Sequence, residues 1–554
     1  MKSIFTFILF ALSISLWASA DVCGLELPQG THGAFAFGDD VAITLEYSTD
    51  EAAGVRIFAR PFTNGALTPG YSASGSPLYP SGDGIAAGTF TINSGAVTVD
   101  EIRVRVVTAD QSEMLREFWI PVEFIFGDHG ANTFVFSEDQ KVASMLLGES
   151  VTTAYAYNCT DPGGCRIFIR PFTNGGLTPG YSASGSPLFT GSGAASANFQ
   201  INSGTNVRVD ELRVTILNAD QSTQYEEFFV PVNWYWSTVK VTDVVASGPA
   251  TPDNGQNVTF SYNYEISEPG GARIFARPET NGELTPQYAG CGSAVIGTGS
   301  GIDDCSFTIT SGYQRMDNVR IIVNNADQTE NLLTISYPYE IFFGRFPLAN
   351  IVTCPPAPAR LMTEERVNIS FDATNSTNTE ARIFTRPFTE GGLTPGYGAS
   401  GSPAYPIGGS SGTGFFQISQ QQVVDQIRFR ATSSDQQLLY ADYFLDTRYV
   451  FGDALISSTQ EQVSASDRLE WNVGPNPTRD ITTLRLIPYA TETISVQVLD
   501  QLGRQVQQFA QLELMAGTLT PLTIDLSDPS LPSGMYLLRI NGRDFQLTEK
   551  LIKL

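Results

Sequence analysis

Apolar and polar residues alternate along much of the chain. The runs Val258–Tyr264 and Ile102–Val106 place an apolar residue at every second position, a period that is typical of strands with one buried face. No segment of helical length shows a 3.6-residue period, and glycine- and serine-rich stretches such as 81–88 and 408–414 separate the alternating runs. The pattern therefore predicts an all-β protein with short strands and long connections.

Three sequence motifs recur in the same order along the chain. The longest, Arg56–Tyr71, returns at 166–181, 273–288 and 382–397, at intervals of 110, 107 and 109 residues. An Asp-x-x-Arg motif follows each copy, at 100–103, 210–213, 317–320 and 425–428. An Asp-Gln pair comes next, at 110–111, 220–221, 327–328 and 435–436. This internal repetition predicts four copies of one module.

The repeat spacing predicts the domain organisation. We expect a signal peptide at 1–20, module 1 at 21–128, module 2 at 129–238, module 3 at 239–347, module 4 at 348–455, a linker at 456–470 and a small C-terminal β-sandwich at 471–554. About seven short strands in about 110 residues are typical of an immunoglobulin-like or fibronectin III-like β-sandwich. Four such sandwiches in tandem resemble, in architecture, the stalk and binding domains of bacterial surface adhesins.

The N-terminus has the form of a secretory signal peptide. Lys2 precedes an apolar run from Ile4 to Trp17, and the small residues Ala18 and Ala20 predict cleavage before Asp21. The run is short for a membrane span, and no later segment contains about 18 consecutive apolar residues. We therefore expect an exported mature chain without a transmembrane segment.

All six cysteines lie in the exported part, where disulfides persist. Cys159 and Cys165 flank a short turn, and Cys291 and Cys305 share one loop of module 3, so each pair is expected to form a local disulfide. Cys23 and Cys354 remain. Their pairing would fold the array back on itself, and two free or intermolecular thiols are the alternative. None of the spacings indicates a zinc site.

The last 84 or so residues contain four short motifs in a fixed order. These motifs comprise Pro475, Asn476 and Pro477, then Leu502, Gly503 and Arg504, then Gly534 and Tyr536, and finally Lys550. Together they resemble the type A C-terminal sorting domain of the type IX secretion system. The resemblance implies passage across the outer membrane by the type IX secretion machinery, followed by removal of the domain and attachment to the cell surface or release.

Arginines and aromatic residues share the outer face of the repeated strands. Alternation places on this face Arg56, Phe58, Arg60, Arg103 and Trp119 in module 1, Arg166, Phe168, Arg170 and Arg213 in module 2, and Arg382, Phe384, Arg386 and Arg428 in module 4. Three interpretations stay open. The face is a ladder of stacked arginines paired with acids, a docking face for a neighbouring module, or a site for an acidic polysaccharide or a partner protein.

The end of the long motif provides candidate ligand loops. Tyr71, Tyr181, Tyr288 and Tyr397 follow a Thr-Pro pair and precede small residues, so each ring can stack on a sugar or pack down onto a double turn. The Asp-Gln aspartates Asp110, Asp220, Asp327 and Asp435 are expected to cap turns. Calcium binding is the alternative, but the chain lacks an Asp-x-Asp-x-Asp-Gly cluster.

Composition narrows the functional classes. The 57 acidic against 32 basic residues give a net charge of −25, which disfavours nucleic acid and anionic lipid as partners. With only two histidines, neither in a recurring motif, a serine triad has no base, and Gly408–Gly412 matches a nucleophile elbow only in its letters. Composition leaves open a glycosidase with paired carboxylates, but fourfold repetition favours multivalent binding.

The sequence therefore predicts a non-enzymatic protein without a cofactor. We expect an adhesin or a structural component of the extracellular layer. The alternative is a carbohydrate-binding protein that captures extracellular polysaccharide for a separate enzyme, and a matrix protein is a further possible partner.

Overall fold

The structure is a computed structural model that describes residues 20–249, 251–452, 469–474, 481–488, 492–499, 505–509, 512–514, 520–527, 531, 534–541 and 546–553. These residues form strands, turns and bends without a helix, so the all-β prediction is confirmed. The chain divides into two compact units, Met1–Leu455 and Ile456–Leu554. The predicted signal peptide up to residue 19 and most of the predicted linker lie outside the described residues.

The strands of modules 1 and 2 follow the same succession. Those of module 1 are β1 (Ala20–Glu26), β2 (His32–Ala36), β3 (Val41–Thr49), β4 (Val55–Thr63), β5 (Ala66–Leu67), β6 (Tyr71–Ala73), β7 (Gly82–Ile92), β8 (Val97–Thr108) and β9 (Met114–Gly127). Those of module 2 are β10 (His129–Phe136), β11 (Ala143–Leu146), β12 (Ser150–Cys159), β13 (Cys165–Thr173), β14 (Gly176–Leu177), β15 (Tyr181–Ala183), β16 (Gly191–Ile201), β17 (Val207–Asn218) and β18 (Gln224–Ser237).

Modules 3 and 4 have corresponding strands, except that the described residues of module 3 include no counterpart of the short second strand β2 or β11. Those of module 3 are β19 (Val239–Ser247), β20 (Asn257–Ile266), β21 (Ala272–Thr280), β22 (Glu283–Leu284), β23 (Tyr288–Gly290), β24 (Gly299–Ile309), β25 (Gln314–Asn325) and β26 (Asn331–Phe343). Those of module 4 are β27 (Leu348–Cys354), β28 (Ala359–Leu361), β29 (Arg366–Asn375), β30 (Ala381–Thr389), β31 (Gly392–Leu393), β32 (Tyr397–Ala399), β33 (Gly408–Ile418), β34 (Gln422–Ser433) and β35 (Leu439–Phe451).

Each module divides its strands between two sheets. In module 2 one sheet has the order β10-β12-β16-β15 and continues from β10 to β2 of module 1, and the other has the order β11-β18-β17-β13-β14. The repeated motif lies on the strand that pairs with the Asp-x-x-Arg strand, as β13 pairs with β17. Alternate residues of both sheets are buried, among them Val151 and Phe199 in one and Ile167 and Val214 in the other, so they share one core.

The first unit closes on itself because each module contacts the next and module 4 contacts module 1. Between modules 1 and 2, Asn132 donates to the carbonyl of Ala34. Between modules 2 and 3, Ser237 donates to the carbonyl of Leu332. Between modules 3 and 4, Tyr443 donates to the carbonyl of Phe343.

Module 4 contacts module 1 by strand pairing. Strand β28 pairs with β35 of its own module in parallel and with β9 of module 1 antiparallel, with Arg360 opposite Trp119. The buried side chains of modules 1 and 4 consequently form one continuous apolar cluster, which includes Phe118, Leu361 and Tyr449. Modules 2 and 3 each have a separate cluster.

The interface between modules 4 and 1 contains buried charges. Arg360 donates from Nε and Nη2 to the two carboxylate oxygens of Glu101, at 2.9 and 2.6 Å, and its guanidinium lies 3.9 Å from the ring centroid of Trp119. Arg116 donates to Asp21 at 2.8 Å and to Glu365 at 3.2 Å. Bidentate geometry and hydrogen bonds on both partners offset the cost of burying these ions.

Three disulfides join the six cysteines. The predicted local pairs Cys159–Cys165 and Cys291–Cys305 are formed. The sequence did not settle whether Cys23 pairs with Cys354. The structure joins them across 331 residues, from β1 of module 1 to β27 of module 4. This bond cross-links the two modules that the chain places at opposite ends of the unit.

The second unit is a separate β domain. Its strands are β36 (Leu469–Gly474), β37 (Ile481–Pro488), β38 (Glu492–Leu499), β39 (Gln505–Gln508), β40 (Leu512–Leu514), β41 (Thr520–Asp525), β42 (Gly534–Asn541) and β43 (Gln546–Lys553). They form the sheets β36-β37-β41 and β39-β38-β42-β43, with β40 also paired to β38. Side chains from both sheets share a core that includes Leu484, Val496 and Leu551.

The predicted sorting motifs are only partly described. Gly534 begins β42, Tyr536 is buried in the same strand, and Lys550 lies in β43. The motifs around Pro475, Asn476 and Pro477 and around Leu502, Gly503 and Arg504 lie outside the described residues.

We expect the double substitution Cys23→Ser with Cys354→Ser to lower the apparent Tm of the full-length protein. The cross-link spans 331 residues, and removing such a constraint from the unfolded chain costs about 3–5 kcal/mol of stability. The matched control is Cys159→Ser with Cys165→Ser, which opens a loop with a sequence separation of 6. Thermal unfolding followed by circular dichroism measures both. If the substitutions at Cys23 and Cys354 lower the apparent Tm no more than the control substitutions do, the disulfide between modules 1 and 4 does not stabilise their contact.

Candidate functional site

Two arginines lie directly opposite each other on the outer face of every module. The register pairs Arg60 with Arg103, Arg170 with Arg213, Arg277 with Arg320 and Arg386 with Arg428. Like charges directly opposite across two strands are destabilising. The aromatic and acidic neighbours of each arginine therefore decide between two interpretations. Either the face is a ladder of arginines paired with acids, or it keeps an unpaired positive charge that can bind an anion.

The first arginine of each motif is structural. Arg166 donates from Nε to the carbonyl of Ala219 at 2.8 Å and from Nη1 to the carbonyl of Ser186 at 2.6 Å. Arg56, Arg273 and Arg382 make the same two kinds of bond, to Ala109 and Ser76, to Ala326 and Ser293, and to Ser434 and Ser402. This arginine ties the Asp-Gln turn to the segment after the tyrosine loop.

The second arginine stacks on the aromatic residue of its own strand. The guanidinium carbons of Arg60, Arg170, Arg277 and Arg386 lie 5.2, 5.0, 4.9 and 5.2 Å from the centroids of Phe58, Phe168, Phe275 and Phe384. Burial lowers the pKa of Arg170, and the opposed charge of Arg213 acts in the same direction. Within the described residues no ion pair joins this arginine to an acid in any module.

The third arginine has both an aromatic and an acidic neighbour. Arg103, Arg213 and Arg428 lie over Phe62, Phe172 and Phe388 and form ion pairs with Glu117, Glu227 and Asp442. In module 3 the aromatic residue is replaced by Glu279, which accepts a hydrogen bond from Arg320 at 2.8 Å and raises the pKa of that arginine. The third arginine is therefore part of a ladder of stacked arginines paired with acids.

Trp119 does not belong to an open face. The sequence places it outward beside the arginines, and in the structure it lies there, but Arg360 of module 4 covers it and leaves 5% of it exposed. Its neighbour Glu117 is also buried, where it pairs with Arg105. At this position the outer face of module 1 is a docking face for module 4. This docking requires the contact between the first and last modules, which the sequence did not determine.

The Asp-Gln pair forms a turn that places glutamine in the left-handed region. Gln111, Gln221, Gln328 and Gln436 have φ values of 61, 64, 61 and 61°. The aspartate before each one accepts bonds within the turn. Oδ1 of Asp110 accepts from Thr108 Oγ1, Ser112 N and Ser112 Oγ, and these bonds lower the pKa of Asp110 to about 2. Such bonds are those expected of a turn-capping aspartate.

The tyrosine loops belong to the sheet opposite the arginine strands. Tyr71, Tyr181 and Tyr288 lie in β6, β15 and β23 and pack partly buried against the cores of their modules. Tyr397, in β32, is 37% exposed. Glycine precedes and follows it, whereas serine or alanine follows the other three tyrosines. The ring of Tyr397 is therefore more accessible than its counterparts.

The repeated motifs converge on one pocket. In module 4 a shallow pocket of about 360 Å³ is lined by Phe384, Arg386, Leu393, Tyr397, Arg428, Arg430, Thr432 and Gln436. The corresponding pocket of module 2, of about 350 Å³, includes Phe168, Arg170, Tyr181, Arg213 and Gln221. The long motif, the Asp-x-x-Arg motif and the Asp-Gln turn thus each contribute to the lining.

Sequence reasoning had selected most of these residues separately. In the pocket of module 4 it missed Leu393, Arg430, Thr432 and Gln436. At the module interface it missed Arg360 and Glu101. Gln436 recurs within the Asp-Gln motif, which is a readable signal. Arg360 lies in no repeated motif.

One cluster has the residue types of a metal site. His129, Cys159 and Cys165 offer ligand atoms within 4.8 Å of one another. The two sulfur atoms are bonded to each other, so they offer no thiolates to a metal. Among the described residues no helix is long and apolar enough to cross a bilayer.

Comparisons with known proteins identify the C-terminal unit. Residues 472–554 match the family described as the secretion system C-terminal sorting domain. The predicted type IX sorting domain is therefore confirmed, and its presence implies export to the cell surface or beyond. No curated protein matches the chain.

Solved structures resemble the chain only distantly. Escherichia coli alpha-2-macroglobulin activated by porcine elastase has 12% identity and a TM-score of 0.19, with 97% of this chain and 53% of that chain covered. The chain thus spans about half the length of that relative. A protein of unknown function from Porphyromonas gingivalis W83 has 9% identity and a TM-score of 0.15, with 38% of this chain and 98% of that chain covered.

We expect Arg166→Lys to destabilise module 2. A lysine cannot donate to the carbonyls of Ala219 and Ser186 in the same geometry, and losing a charged hydrogen bond costs about 1.5–3 kcal/mol. The control is Arg208→Lys, because Arg208 makes an exposed bond to Asn233. Limited proteolysis should cut the Arg166 variant faster near residues 186–221. Equal cleavage rates in both variants exclude the structural role.

Proposed function

We propose that this protein is a non-enzymatic component of the cell surface or extracellular layer, either an adhesin or a structural protein. Its first 20 residues act as a signal peptide, and its four modules are immunoglobulin-like sandwiches delivered by the sorting domain at 472–554. The observation that carries the proposal is that one chain contains both a sorting domain and an all-β unit whose strands β1 and β27 are cross-linked through Cys23 and Cys354.

The disulfides of the first unit support an extracellular role. Three disulfides join all six cysteines, and disulfides persist outside the cytoplasm. The arginines that clamp turns and pair with acids stiffen each sandwich. Repetition of similar exposed faces in one unit multiplies weak contacts into avidity.

Carbohydrate binding is a second candidate function. The pockets of modules 2 and 4 favour it because each combines arginines, an aromatic residue and a tyrosine loop in a concave site. In this interpretation the protein captures extracellular polysaccharide for a separate enzyme.

We expect deletion of residues 471–554 to trap the protein in the periplasm, because the deleted segment contains the match to the sorting domain. Fractionation and antibody labelling of intact cells measure the location. As a sufficiency control, residues 456–554 are joined to a periplasmic passenger that has its own signal peptide, and this passenger should reach the surface or the medium. Normal surface display of the truncated protein contradicts the export route.

We expect cells that lack the protein to lose either attachment to a matrix- or glycan-coated surface or the integrity of their extracellular layer. The matched strain produces the full-length protein with Arg208→Lys, whose side chain lies outside the pocket of module 2. Attachment assays and electron microscopy of the envelope distinguish the two roles. If both properties are unchanged in the deletion strain, the proposed function is wrong. Hydrolysis of a polysaccharide by the purified protein contradicts the non-enzymatic assignment.

A further inference from the structure

We propose that the pocket of module 4 binds the carboxylate of an acidic sugar in an extracellular polysaccharide. This inference rests on the carbohydrate-binding function proposed above and names the module and the charged group of the ligand. The pocket has a volume of about 360 Å³, at the lower end of the range of known small-ligand sites.

The charge of this pocket is only partly neutralised. Arg428 donates from Nε to Oδ1 of Asp442 at 2.5 Å and from Nη2 to Oδ2, so both oxygens of this acid are engaged. Within the part of the chain that the structure describes, no ion pair joins Arg386 or Arg430 to an acid. Arginine binds carboxylates with directed hydrogen bonds, so the pocket is suited to a carboxylate.

The position of Arg430 distinguishes module 4 from the others. It lies opposite Phe384 of β30 and opposite Asp442 of β35, and the corresponding positions in modules 1, 2 and 3 are Arg105, Thr215 and Ile322. Modules 2 and 3 therefore lack this arginine. In module 1 Glu117 bonds Arg105 at 2.5 Å and also lies 3.6 Å from Arg103. Module 4 alone among the four has an arginine at this position whose facing acid, Asp442, has both carboxylate oxygens bonded by another arginine, Arg428.

The rest of the lining suits a sugar ring. Tyr397 is 37% exposed and Leu393 47%, which provides an apolar surface for the C–H face of a ring. Gln436 is exposed and offers an amide group for its hydroxyls. An acidic peptide is less suited because an extended peptide usually adds to a sheet edge. Here Arg386, Arg428 and Arg430 lie on β30 and β34, which pair with each other, so the pocket lies on a sheet face.

The test compares the binding of two defined probes to the purified full-length protein by isothermal titration calorimetry. The probes are a galacturonic acid tetramer and the neutral galactose tetramer. We expect the acidic probe alone to bind, with affinity that falls as salt is raised. Arg430→Thr, which installs the module 2 residue at an exposed position, should weaken binding about tenfold or more. Arg105→Thr is the matched control and should leave the affinity within about twofold, because Glu117 already neutralises that site.

The outcomes separate the inference from the function on which it rests. If the acidic probe binds but Arg430→Thr has no effect, carbohydrate binding stands and the assigned pocket is wrong. If both probes bind equally, the carboxylate assignment is wrong. If neither binds while an oligoaspartate does, the pocket recognises acidic peptide, and both the inference and the carbohydrate-binding function are overturned.

Discussion

The ion pair between Arg360 and Glu101 is the interaction on which the first unit depends. It is buried, bidentate and stacked on Trp119, so the desolvation of two charges is offset only when module 4 is in place. The pair fixes β28 between β9 and β35, which merges the cores of modules 1 and 4. The same docking brings Cys23 against Cys354, so the covalent cross-link and the ion pair reinforce one arrangement.

Because module 4 packs against module 1, the repeated outer faces have two different roles. In module 1 the docking of Arg360 covers Trp119, and Arg116 and Glu365 add a second buried ion pair at the interface. In module 4 the corresponding strands keep an open pocket with Tyr397 at its edge. One repeated sequence pattern therefore provides an interface in one copy and a concave surface in another, because the neighbours differ.

Opposed arginines are a recurring constraint on these sandwiches. Every module places two guanidinium groups across from each other. In modules 1, 2 and 4 an aromatic ring and an acid next to the third arginine offset the repulsion, and in module 3 Glu279 does so alone at that position. Where the acid is the shorter Asp442, held by Arg428, the charge of the remaining arginines stays available. The protein is acidic overall, so such a patch is a local exception that suits an anionic ligand at an exported surface.

By itself the sequence determined the all-β class, the sorting domain and the two local disulfides, because strand alternation, ordered motifs and short cysteine spacings are local properties. It also selected Phe384, Arg386, Tyr397 and Arg428 of the pocket, since each belongs to a motif that recurs at fixed spacing, but not Arg430, which modules 2 and 3 lack. It could not determine the pairing of Cys23 with Cys354 or the covering of Trp119. Both are contacts between modules 1 and 4, which lie far apart in the chain, as do Arg360 and Glu101 at a separation of 259 residues. Only the tertiary structure decided which outer faces would be buried and which left open.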